Sequence, residues 1–240
     1  MIKTAQNELL ASLPPREAAT LARGLKEVEF QPGATLQESG EPIERVFFPC
    51  GGVVSLQVVG KDGSSVETGM IGNDGAIGLQ RGLGRRKAFT RAVVHAGGRL
   101  AVISGENFER ACSESAALRD MLLRYTEHLC MQAQQIAACN ASHGTEARLA
   151  RWLLQCSDRI GGDTIPATQE FLAQIFSVRR TTITLIAHQM QGAGVIKYRR
   201  GVVRINDREK LEQSACECYR ALRGQAPRME IEPEAAIVPA

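Results

Sequence analysis

No apolar run in this sequence approaches membrane-spanning length, and residues Met1 to Asn7 lack the basic-then-apolar pattern of a secretory signal. A cytoplasmic chain with no membrane contact is expected. There is no cysteine framework either. The seven cysteines, at 50, 112, 130, 139, 156, 216 and 218, are odd in number and scattered, which in an intracellular chain reads as reduced, mostly buried thiols. His95, His128, His143 and His188 show no H-x-H or H-E-x-x-H spacing. Cys216 and Cys218, with Glu217 between them, supply half a metal site at most unless a second pair is brought close. Neither a metal nor a cofactor is therefore expected. A G-x-S-x-G elbow, a P-loop and a nucleophile with a base nearby are also missing, so no catalytic residue is assigned and the chain is read as a non-enzyme.

What is present is concentrated between Ile165 and Ile205. Thr168 is placed to cap a short amphipathic helix, with Glu170 in its first turn where the helix dipole favours an acid. After Phe176-Ser177-Val178, a link fit only for a tight corner, Arg179 to Met190 reads as a second helix with Ile183, Ile186, Ala187 and Met190 on one apolar face. Two helices so joined form a helix-turn-helix. Gly192-Ala193-Gly194 then stops the helix, and Val195 to Ile205 reads as two strands around Arg200-Gly201, a hairpin wing.

Charge gives this unit a direction. From Thr168 to Ile205 the bases Arg179, Arg180, Lys197, Arg199, Arg200 and Arg204 face the single acid Glu170, although the whole chain of 240 residues nets only +3. A local basic excess on such a unit suits the phosphates of duplex DNA, with the second helix in the major groove. A solvated face is the competing reading of Arg179-Arg180. Both residues would then oppose their own helix dipole, which an anionic ligand relieves.

The run Thr168 to Ile196, the hairpin behind it and the ending Ala215 to Tyr219 resemble the winged-helix domain of the Crp/Fnr family of bacterial transcription regulators. With the upstream order of segments, the resemblance covers roughly Leu9 to Tyr219. It implies an α+β fold: an N-terminal β-roll (a jelly-roll-like sandwich) over residues 1–112, a long dimerisation helix over 113–140, and a winged helix-turn-helix over 141–220. It also implies double-stranded DNA and a second copy of the chain as partners, with RNA polymerase added if the regulator activates. Arg180, Thr181 and Thr184 would face bases of a palindromic operator, and Arg179 and Thr182 phosphates; Thr168, Lys197, Arg199 and Arg200 are further phosphate candidates. Two positions depart from the family. Where many members carry a glutamate and, four residues on, an arginine, this chain has Thr181 and Leu185, so the common half-site is not its expected target. Arg180 can still read guanine through a bidentate contact. Iron–sulfur-sensing relatives carry an N-terminal cysteine cluster, and here no cysteine precedes Cys50, which excludes that mode.

Upstream, Asn7 to Leu25 reads as a helical opening. From Val28 to Ser104 the character changes: 14 of the 23 glycines fall between Gly33 and Gly98. They separate short strands at Arg45–Phe48, Val53–Val59, Ser65–Ile71, Ala88–His95 and Leu100–Ser104, the pattern of a sandwich or roll. In Crp/Fnr relatives this is the effector-binding segment, and its cyclic-nucleotide cassette pairs Gly-Glu for the ribose with Arg-Ser or Arg-Thr for the phosphate. Gly75-Ala76-Ile77-Gly78 fits the glycine frame, but Leu79 stands in the place of glutamate and Ala88-Phe89-Thr90 lacks the arginine. The candidate effector pocket is Gly75, Gly78, Leu79, Phe89 and Thr90, and cyclic AMP is not its expected ligand. A regulator of the same architecture answering a cyclic nucleotide through this degenerate cassette is the alternative. A β-roll binding module or metal enzyme is a third, and only His95 of the histidines lies in the roll.

Leu118, Leu122, Tyr125, Leu129, Gln132, Ile136 and Cys139 recur at alternating four- and three-residue steps, the a/d seam of a coiled coil. A dimer seam is expected there, with Gln132 fixing its register; a core helix packed on its own roll is the competing reading, and both can hold, with one face inward and the other to a twin. Asn140 to Thr145 reads as a hinge, and Glu146 to Ile160 as a helix burying Leu149, Trp152, Leu153 and Cys156. Residues 221–240 read as a disordered tail.

Overall fold

A computed structural model describes residues 6–223; residues 1–5 and 224–240, with most of the expected tail, lie outside the described residues. The chain opens with α1 (Glu8–Ala11) and α2 (Pro15–Ala22). Pro15 starts α2 where a missing N–H costs nothing, and Leu9, Leu10, Leu13, Leu21 and Leu25 are buried as their spacing predicts.

Strands β1 (Lys26–Phe30), β2 (Thr35–Gln37), β3 (Arg45–Pro49), β4 (Val53–Val59), β5 (Ser65–Ile71), β6 (Arg91–Ala96) and β7 (Gly98–Ser104) form two antiparallel sheets. Their orders are β1-β7-β3 and β2-β6-β4-β5. Phe47, Val54, Ile71, Val94 and Leu100 share one buried cluster drawn from both, the expected roll. The strand expected at Ala88–His95 starts later, at Arg91. Ser39 Oγ donates to the Phe89 carbonyl at 2.9 Å and Gln37 Nε2 to that of Thr90 at 3.0 Å. Side chains replace the ladder partners of Phe89 and Thr90, while Ala88 pairs through its backbone with Gly40 and Glu41 outside the named strands.

Helices α3 (Gly105–Glu114) and α4 (Ala116–Ser142) follow, capped by Ser104 and Ser115. The expected seam faces inward. Leu118, Leu122, Tyr125, Gln132, Ile136 and Cys139 are buried within the one chain, and Leu129 is half-buried. Tyr125 Oη accepts from the Ala76 N–H at 3.0 Å, Gln132 Oε1 accepts from the Met70 N–H at 3.3 Å, and Cys139 packs on Cys216 and Cys218. These seven residues therefore cover the chain's own roll and C-terminal segment rather than a twin. A 3.5-residue apolar period marks a stripe to be covered and does not name the cover.

The expected hinge narrows to His143 and Gly144, because α4 runs to Ser142 and α5 spans Thr145–Ile160. Beyond it come β8 (Thr164–Pro166), α6 (Gln169–Phe176), α7 (Arg180–Gly192), β9 (Ile196–Arg199), β10 (Val202–Ile205), α8 (Arg208–Ser214) and α9 (Cys218–Arg223). The third sheet, in order β8-β10-β9, has one strand more than the expected hairpin. The core of this domain reaches Val53, Met70 and Ala96, so roll and C-terminal domain share continuous apolar packing.

Candidate nucleic-acid interface

Thr168 Oγ1 accepts from the Phe171 N–H at 3.1 Å, the cap its position predicts, and this commits part of a hydroxyl that was also a phosphate candidate. The corner turns at Ser177, whose φ of 54° is left-handed. Arg179 is the residue before α7 and Arg180 its first; no side chain caps the helix and its first turn holds no acid. Two cations thus stand at the positive end of a dipole. Ile183, Ile186, Ala187 and Met190 are buried, which turns Arg180, Thr181, Thr184, Leu185 and His188 to solvent, while Thr182 is half-buried. The Thr184 hydroxyl lies 2.9 Å from Gln169 Oε1 and 3.0 Å from the Arg180 carbonyl, so it couples the two helices.

The wing turns through Arg200 and Gly201 at φ 51° and 75°, both left-handed, as a two-residue hairpin requires. Arginine takes the first of these positions against its steric preference, and its side chain is exposed at the wing tip. Tyr198 anchors the wing: its N–H donates to Gln191 Oε1 and its hydroxyl to the Ala167 carbonyl, each at 2.7 Å. Arg180 and Arg200 consequently line one open notch of about 340 Å³ together with Thr168, Gln169, Tyr198 and Gly201. Among the described residues no carboxylate pairs with Arg179, Arg180, Lys197, Arg199, Arg200 or Arg204. Sequence reasoning missed Gln169, and it treated Leu185 only as a departure. Leu185 is 61% exposed between the basic groups, which suits contact with a thymine methyl.

The family model described as a Crp-like helix-turn-helix domain matches residues 147–214, and that for a cyclic nucleotide-binding domain matches residues 27–115. Together they span well over half of the chain, in the order roll then reader. The chain belongs to the Crp/Fnr family. Its fold is similar to that of FixK2 from Bradyrhizobium japonicum, at 14% identity over 80% of this chain and 98% of that one, with a TM-score of 0.67. A Crp/Fnr family regulator from Thermus thermophilus is similar at 20% identity, 79% and 98% coverage and TM-score 0.64. The c-di-GMP responsive regulator CLP of Xanthomonas campestris is similar at 14% identity, 81% and 100% coverage and TM-score 0.64. No curated protein matches the chain in sequence. Among the described residues no helix is long and apolar enough to cross a membrane.

In this Crp/Fnr chain a cavity of about 390 Å³ lies between the roll and α4. Phe89 and Thr90 line it as expected, with Leu56, Val58, Leu129 and Gln132. Gly75, Gly78 and Leu79 do not. Gly75 lies against Tyr125, where a Cβ would collide with the ring and its hydroxyl, Gly78 lies against the Arg45 carbonyl, and Leu79 is core. Arg85 and Lys87 supply positive charge, and none of the described residues lining the cavity is acidic. Gly78 lies behind the lining residues Ile43 and Gln37, whereas Gly75 and its neighbour Tyr125 are not part of the lining.

The reader is also tied to the roll. Trp152, expected in the reader core, donates through Nε1 to Glu67 Oε1 at 2.9 Å, and Ser55 Oγ donates to Glu67 Oε2 at 2.6 Å. Burial pushes the Glu67 carboxyl up to about 7, against the lowering effect of these two donors and of Arg151 and Arg159. His95 stacks on Phe171 at 4.5 Å between ring centroids and meets Trp152 edge-on at 4.9 Å. Burial pushes it down to about 4.

Proposed function

We propose that this regulator binds a palindromic operator as a homodimer, reading bases through Arg180, Thr181, Thr184 and Leu185. Arg179, Thr182, Lys197, Arg199 and Arg200 hold phosphates, and Thr168 contributes through its backbone position at the cap. The observation that carries this reading is the convergence of Arg180 and Arg200 on one open notch, unpaired by any acid among the described residues, beside the exposed face of α7. Phosphate contacts there position the helix and base contacts specify the site. Dimer contact uses the solvent face of α4, where Ala116, Leu123, Cys130 and Ala137 recur every seventh residue and Leu123 is 60% exposed. Small side chains in that row let two helices approach closely, and a parallel pair sets two reading helices about one DNA turn, roughly 34 Å, apart. RNA polymerase is the further partner if the outcome at the promoter is activation.

The effector cavity does not select cyclic AMP in this reading. Leu79 occupies the cassette position of the ribose-binding glutamate and is core, and Phe89 occupies the region where the phosphate-binding arginine is lacking. An apolar ligand carrying an anionic group fits Leu56, Val58 and Leu129 on one side and Arg85 and Lys87 on the other. Selection of bound fragments from random duplexes tests the DNA reading: an inverted repeat is expected. A chain that stays monomeric and ignores duplexes in dilute salt overturns it. Titration calorimetry with cyclic AMP tests the cavity, and micromolar binding overturns that part alone.

A further inference from the structure

Cys139 and His143 lie at the C-terminal end of α4, and Cys216 and Cys218 at the link from α8 into α9. Although Cys139 and Cys216 are 77 positions apart in sequence, their Sγ atoms are 3.5 Å apart, and Cys218 Sγ is 3.7 Å from His143 Nδ1. All four ligand atoms fall within 4.8 Å of one another. A tetrahedral ion with metal–sulfur bonds of about 2.3 Å sets its sulfurs about 3.8 Å apart. The C-x-C pair, half a site in sequence, thus meets the second pair it lacked. We propose that Cys139, His143, Cys216 and Cys218 bind a zinc ion.

The surroundings suit that ion. His143 Nε2 lies 3.1 Å from Glu217 Oε1, so donating its proton there leaves the Nδ1 lone pair turned toward Cys218 and the metal. A carboxylate behind a ligating imidazole fixes its tautomer and raises its basicity. Gln135 Nε2 donates to Cys218 Sγ at 3.1 Å, a donor fitted to a thiolate. Three thiolates, one neutral imidazole and a dication leave one net negative charge, and both Arg148 and Arg151 interact electrostatically with Cys139. All three cysteines are buried, so the site is closed and structural, and its thiolates select zinc over hard cations. On binding, the thiols release their protons to solvent. The ion clamps the end of α4 to the reader across His143-Gly144, and its occupancy sets the stiffness of that joint.

The test uses the full chain purified under reducing conditions, independently of DNA. Elemental analysis is expected to find about one zinc per chain, and cobalt substitution to give the visible bands and sulfur charge-transfer band of tetrahedral thiolate ligation. Cys216→Ser should lose the charge-transfer intensity. Glu217→Gln alters only an exposed side chain and keeps the fold, and it should weaken zinc about 10- to 100-fold in competition with a chelator. Folded protein that takes up neither metal overturns the proposal. So does a Cys139–Cys216 disulfide that, once reduced, leaves no zinc binding, and an unchanged zinc affinity in Glu217→Gln overturns the role given to His143.

Discussion

Arg180 and Arg199 are both exposed arginines on one basic face, yet the proposed operator binding gives them different parts of the binding free energy. Arg180, first residue of α7, can form a bidentate pair with guanine; Arg199 lies on β9, where the proposal gives it a phosphate. Arg180→Ala is expected to cost about 1 to 3 kcal/mol at the selected operator and to relax preference at one base pair. Arg199→Ala should weaken all duplexes alike and lower the salt slope by about one, measured by anisotropy across a salt series. Identical behaviour of the two would sink the division into readers and anchors. Where roll meets reader, Glu67 and His95 carry a second residue-scale prediction. The Glu67 pKa rises from 4.5 to about 7 in the folded chain, so its contribution to stability is full below 4.5 and is lost as pH rises through about 7. The His95 pKa falls from 6.5 to about 4, so its contribution is full above 6.5 and is lost as pH falls through about 4. The two trends oppose each other in the native protein. Glu67→Gln should unmask a urea midpoint that climbs with pH between 4 and 6.5, and His95→Phe one that falls between 4.5 and 7. Neither residue stood out in the sequence as a pair, because 28 positions separate them and only the fold brings both to Trp152.

At the scale of the element, α4 decides how the halves of the chain are used. Its inward stripe covers the roll, with Gln132 bridging to the Met70 backbone and Tyr125 to that of Ala76. Gln132→Leu leaves the Met70 N–H and carbonyl without these partners and should destabilise the fold by about 1 to 3 kcal/mol in chemical denaturation. Its sedimentation at native pH should match that of the unaltered chain, since Gln132 faces inward; a shift to monomer would restore it to the dimer seam. The helix-turn-helix was legible for a different reason. Its cap at Thr168, its apolar spacing from Ile183 to Met190 and its turn at Arg200-Gly201 are local features, each satisfied within a few residues. Strand β8 was not legible, because three residues carry no period and only pairing with β10 makes them a strand.

For the whole molecule, the proposed two-fold symmetry would turn a modest half-site contact into a stable complex. Leu123→Glu on the solvent face of α4 should give a folded monomer by sedimentation velocity, and its affinity for the inverted repeat should drop roughly 10²-fold as the second contact ceases to be intramolecular. A dimer that survives this change places its interface elsewhere. The sequence by itself determined the order of roll, long helix and winged reader, the family and the basic reading face, because caps, glycine turns, apolar periods and local charge act over short chain distances. Only the tertiary structure decided which side of α4 is covered, that Phe89 and Thr90 rather than Gly75, Gly78 and Leu79 line the cavity, and that Cys139 and His143 meet Cys216 and Cys218. Each of those depends on which surfaces are pressed together across long stretches of chain, and a periodic pattern records that a face must be buried without recording what buries it.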